Sequence, residues 1–163
     1  MLKSVVAGGQ TGVDRGALDA ALSLYFPCGG WCPAEREAED GVIPERYPLQ
    51  ELATGGYRER TIQNVLDSDG TLIIYHGTLS GGTEQTQLHC IRRQKPYKLI
   101  DAQEISIPRA IELGLEFIQA HSVSILNVAG PRESGWNGAS RFAEEVIRGV
   151  IQSVRKKNEA GTT

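Results

Sequence analysis

The sequence predicts an α/β sandwich with a mostly parallel sheet and helices on both faces. Two observations carry this. Four short β-branched runs are apolar almost throughout, as strands covered on both faces are. Between them lie segments with apolar residues at helical spacing, and strands alternating with helices favour parallel pairing through right-handed crossovers.

The strand runs are Lys3–Ala7, Thr71–Tyr75, Tyr97–Asp101 and Val123–Val128. The first helix follows Gly12, with Val13, Ala17, Ala21 and Leu24 on one stripe widened by Leu18 and Leu22. Tyr57–Leu66 places Thr61, Ile62, Val65 and Leu66 on one side, and Asp67-Ser68-Asp69-Gly70 ends that helix and starts a strand. Thr83–Arg93 is a weaker helix carried by Leu88 and Ile91. Pro108 suits a first helical turn, with Ser106 as its candidate cap and Ile111, Leu115 and Ile118 continuing the face. The last helix is the clearest, with Phe142, Ala143, Val146, Ile147, Val150, Ile151 and Val154, opened by Asn137 or Gly138. Residues 28–50, with three prolines, three glycines and little periodicity, read as an ordered flap containing one or two short strands, anchored by Trp31, Val42, Ile43, Tyr47 and Leu49.

A chain of 163 residues suits one domain, here 1–157, with 158–163 as a flexible tail. A net charge of -3 supplies no global basic field for nucleic acid. No apolar stretch approaches the roughly 18 residues of a membrane span, and no signal-peptide core is present, so the sequence predicts a cytoplasmic protein. Cys28, Cys32 and Cys90 lack CxxC spacing, and His76, His89 and His121 form no HxxxH or HExxH pattern. The expectation is buried or half-buried free thiols and no metal site.

Three loops hold the chemistry. Gly8-Gly9-Gln10-Thr11-Gly12, Ser80-Gly81-Gly82-Thr83-Glu84-Gln85-Thr86 and Ala129-Gly130-Pro131-Arg132-Glu133-Ser134 each follow a strand and precede a helix. Parallel strands would bring all three to one sheet edge, where open α/β sheets bind ligands. Glycines admit close backbone approach, and helix N-termini offer free N–H groups and partial positive charge, so a phosphate or other oxyanion is the natural guest. The candidate ligand residues are Gly8, Gly9, Gln10, Thr11, Gly12, Asp14, Arg15, Ser80, Gly81, Gly82, Thr83, Thr86, Gly130 and Arg132. No GxGxxG and no GxxxxGK[ST] is present. Asp14, Glu84 and Glu133 would repel an anion. Asp14 could instead face a ribose hydroxyl or a divalent cation, or simply complement a helix dipole. Trp31 and Trp136 could stack on a flat ring or serve as packing.

The segments GGQTGVDRGALDAAL, GGWCPAEREAEDGVIPERYPL, RTIQNVLDSDGTLII, LSGGTEQT and LNVAGPRES together resemble the bacterial family labelled putative molybdenum carrier. It is also described as a circularly permuted YpsA-like branch of the SLOG superfamily, which includes lysine-decarboxylase-like proteins. The resemblance covers nearly the whole chain. It implies a Rossmann-like fold, a nucleotide or nucleotide-like ligand such as molybdenum cofactor, and a homo-oligomer, dimer or tetramer. The related phosphoribohydrolases carry PGGxGTxxE, whose glutamate serves glycosidic cleavage. Thr86 stands where that motif has glutamate, and Glu84 is out of register; threonine is no carboxylate acid or base near neutral pH. Three readings follow. The first is a binder of a small phosphorylated heterocycle. The second is a nucleotide N-glycosidase worked by Glu84 or Asp14. The third is a scaffold whose glycines only make turns.

Overall fold

The computed structural model describes residues 1–161. Its core is a five-stranded parallel sheet built from β1 (Ser4–Val6), β2 (Cys28–Gly29), β7 (Gly70–Tyr75), β8 (Tyr97–Asp101) and β9 (Ile125–Ala129), in the order β2-β1-β9-β7-β8. Register places Val5 between Cys28 and Leu126, Leu126 opposite Gly70, and Ile74 opposite Ile100. The helices are α1 (Val13–Ser23), α2 (Tyr57–Asp67), α3 (Gly81–Arg92), α4 (Ile107–Ala120) and α5 (Ala139–Ala160). Helix α5 packs on α1 and α4, while α2 packs on α3, giving a three-layer Rossmann-like sandwich. Ser106 caps α4 as expected, accepting the Arg109 N–H at 3.3 Å. No helix among the described residues is long and apolar enough to cross a membrane.

The period-2 alternation of the strands divides the core. Val5, Leu72, Ile74, Leu126 and Val128 point into one apolar cluster with α1, α4 and α5. The opposite face carries Thr71 and Asn127, joined by an Asn127 Nδ2 to Thr71 Oγ1 hydrogen bond of 3.2 Å.

The structure changes two expectations. Helix α5 runs to Ala160, so residues 158–160 are helical where the sequence suggests a tail; 162–163 lie outside the described residues. The flap holds more than two strands. Beyond β2 it contains β3 (Trp31–Cys32), paired in parallel with β6 (Gln50–Glu51), and a hairpin of β4 (Glu37–Ala38) and β5 (Gly41–Val42). These two-residue strands are too short to leave a periodic trace. Hydrogen bonds at fixed points define them instead. The Arg36 guanidinium donates to the carbonyls of Ile43 (3.1 Å), Pro44 (2.8 Å) and Tyr47 (3.1 Å). Ile43 and Tyr47 then bury against Ala7 and Leu18 in a second small core. The three cysteines are free, Cys32 and Cys90 buried and Cys28 half-buried.

Candidate functional site

All three predicted loops sit at the C-terminal ends of parallel strands. The β1–α1 loop leaves toward one face of the sheet and the β7–α3 loop toward the other, with β9 between them. Diverging connections open a crevice at such a point. The crevice here has a volume of about 570 Å³. Gln10 and Asp14 line it from the first loop, Ser80, Gly82, Thr83 and Thr86 from the second, and Gly130 and Arg132 from the third.

The β7–α3 loop is the open part. Ser80 caps α3 without a side-chain hydrogen bond, and among the described residues no acceptor takes the N–H groups of Gly81, Gly82 or Thr83. A helix start left this way is an anion-seeking surface. A Cβ added to Gly82 would meet nothing within 4 Å, so no packing demands glycine there. The Thr86 hydroxyl donates to Gly82 O at 3.0 Å within the helix.

The β1–α1 loop behaves differently from the sequence-based expectation. Its amides are largely spent: Gln10 N–H donates to Asp14 Oδ2 at 3.1 Å, Thr11 N–H to Gln10 Oε1 at 3.0 Å, and Val13 N–H to Pro131 O at 3.2 Å. Gly12, at φ +83°, lies so close to the third loop that a Cβ would fall on Pro131 O. Gly8 and Gly9 leave room for the side chains of Arg60 and of Leu49 and Ile43. Two predicted ligand residues turn away from the crevice. Thr11 donates its hydroxyl to Glu39 and accepts the Glu133 N–H at 3.2 Å. Arg15 makes a bidentate pair with Asp40 at 2.6 and 2.8 Å. Both are recruited by the tip of the flap hairpin, whose Glu39 also accepts the Ser134 hydroxyl and lies 3.9 Å from Arg132. The hairpin tip therefore staples the first and third loops together.

The acidic candidates separate in the same way. Glu84 is exposed and does not line the crevice. Glu133 accepts the N–H groups of Gly138 (2.8 Å) and Ser140 (3.1 Å), capping the start of α5. Asp14 is buried at the crevice wall, 3.4 Å from Arg60. Burial pushes its carboxyl above the ordinary aspartate value, opposed by the Arg60 charge and the Gln10 N–H. Trp31 and Trp136 take no part: Trp31 donates from Nε1 to Asp67 at 2.7 Å, and Trp136 packs on Phe142 and His76.

The start of α2 supplies lining that sequence reasoning missed: Tyr57, Arg58, Arg60 and Thr61, with Arg132 standing over the Tyr57 ring at 5.3 Å. The Arg58-Glu59-Arg60 run sits in an ordinary amphipathic pattern, and no local signal marks it. His89, one face of α3 below Thr86, also lines the crevice, and burial together with Arg93, Arg58 and Arg92 lowers its pKa. Its spacing from Thr86 and Thr83 is the one cue that could have found it.

Among curated proteins none matches this chain. A crystal structure described as a putative molybdenum carrier protein, from Syntrophus aciditrophicus SB, superposes with a TM-score of 0.89 at 42% sequence identity, over 92% of this chain and 95% of that one. The model of the circularly permutated YpsA SLOG family matches residues 5–151, and the chain belongs to that family.

Proposed function

We propose that this protein binds a small phosphorylated ligand, nucleotide-like or pterin, in the crevice at the strand ends, and that molybdenum cofactor is within that class. The observation that carries the reading is the open start of α3, whose Gly82 and Thr83 N–H groups are unclaimed and line, together with Arg132, a crevice sized for such a ligand. The structural relative described as a molybdenum carrier supports it. Among the described residues no group of three His, Cys, Asp or Glu side chains is placed to hold a metal ion.

Thermal-shift titration with inorganic pyrophosphate, nucleoside monophosphates and a pterin monophosphate tests this. A ligand at 100 times its Kd adds about 2.7 kcal/mol to stability. Arg132→Ala should weaken binding about tenfold or more, the scale of one charge-assisted hydrogen bond. The unliganded Tm should hardly move, because Arg132 is exposed and its Glu39 contact is long. No shift with any of these probes would contradict the reading.

The N-glycosidase alternative now rests on Asp14, the one acidic side chain among the described residues that line the crevice. Base released from a nucleoside monophosphate, and lost in Asp14→Asn, would favour it over simple binding.

A further inference from the structure

Two buried side-chain polar atoms among the described residues have no hydrogen-bond partner: Gln10 Nε2 and Arg60 Nε. Both are donors, and both belong to residues lining the crevice. Native proteins rarely leave buried donors unclaimed, and each such group costs free energy until an acceptor arrives.

The Gln10 amide cannot be turned to relieve this. Its Oε1 accepts two main-chain N–H groups, from Thr11 and from Glu39 in the flap hairpin, each at 3.0 Å. A flipped amide would oppose those donors with its own NH2, leaving no acceptor for either. The flap thus locks Gln10 with its donor end unspent, while Gln10 itself is 5% exposed. The Asp14 carboxylate lies against the same residue, 3.1 Å from the Gln10 N–H. Asp14 in turn neutralises Arg60, 3.4 Å away, so this corner carries no net positive charge to draw a phosphate, and a neutral oxygen suits it better. Gln10 and the start of α3 line the same crevice, so a ligand with its phosphate at α3 would bring its ring toward Gln10.

We propose that Gln10 reads the ligand's ring, donating from Nε2 to a ring oxo group, so that the crevice selects a 6-oxopurine or similar oxo-heterocycle over its 6-amino counterpart. This rests on the phosphorylated-ligand reading above and adds the ring chemistry. An amino group at that point would set donor against donor, and sites built around one hydrogen-bonding polarity reject the opposite one strongly.

Isothermal titration of inosine 5′-monophosphate and adenosine 5′-monophosphate tests this, since the two share ribose and phosphate. The wild-type protein should bind the oxo nucleotide at least about tenfold more tightly. Gln10→Glu keeps an oxygen for Thr11 and Glu39 but removes the donor, and should abolish or reverse the preference. Equal affinities in the wild type, or tighter binding of the amino nucleotide, would overturn the proposal, and that comparison stands even if the variant folds poorly. Pyrophosphate runs alongside. If it binds while the nucleotides are not distinguished, the ring proposal fails and the phosphate site survives; if nothing binds, both fail.

Discussion

The β1–α1 and β7–α3 loops have similar glycine content and opposite surroundings. In the first, glycine is absence of bulk: Gly8 and Gly12 let Arg60 and the Pro131 carbonyl come close, and the amides of Gln10 and Thr11 are spent inside the loop. In the second, a Cβ on Gly82 would meet nothing within 4 Å and the helix start around it is unclaimed. A glycine-rich strand-to-helix turn is therefore two different objects. It is a joint where the neighbouring backbone fills the space, and an open surface with donors to spare where nothing does.

Mutations can break this contrast. The largest effect is expected from Gly12→Ala, which combines a positive φ with a collision on Pro131 O and should cost about 3 kcal/mol or more in denaturant unfolding. If that variant is tolerated, the first loop is not a packing joint. Gly82→Ala should do the reverse. Its backbone is helical and its surroundings empty, so stability should hold or rise by about 0.5–1 kcal/mol while pyrophosphate affinity falls about tenfold. Unchanged affinity would mean that no ligand approaches this backbone.

The smallest effect concerns the staple between the two loop systems. The hydroxyls of Ser134 and Thr11 hold the Glu39 carboxyl below the ordinary glutamate range. A carboxyl with a depressed folded pKa contributes stability above its unfolded value, near 4.5, and loses it as pH falls through the folded value. Glu39→Gln should lower Tm by about 2 °C or less near pH 7, with the difference vanishing in acid. Amide exchange in residues 33–50 should quicken in parallel. A pH-independent difference would show that the Glu39 charge is not what fastens the flap.

Much of the scaffold is legible in the chain itself. Tyr97–Asp101 is a strand at the predicted bounds, and α1, α2, α4 and α5 follow their apolar stripes closely. Each of these signals is local, a period of two or 3.6 set by backbone geometry. The flap is legible as an ordered, anchored segment, but not the number or pairing of its two-residue strands, which Arg36, Glu39 and Asp40 hold by reaching across the chain. Asn158–Ala160 stays helical beyond the last apolar position, and a run of polar residues at a helix end looks the same as a tail.

The sequence by itself determined the layers, the parallel edge and the three glycine loops that gather on it, because hydrophobic period and turn chemistry act over a few residues. Only the tertiary structure decided what each loop does. It brought Arg60 against Gly8 and Asp14, and turned Thr11 and Arg15 toward the flap. It also left the start of α3 and the Gln10 amide with donors to spare. Whether a polar group is claimed depends on partners tens of residues away, and no local pattern encodes that.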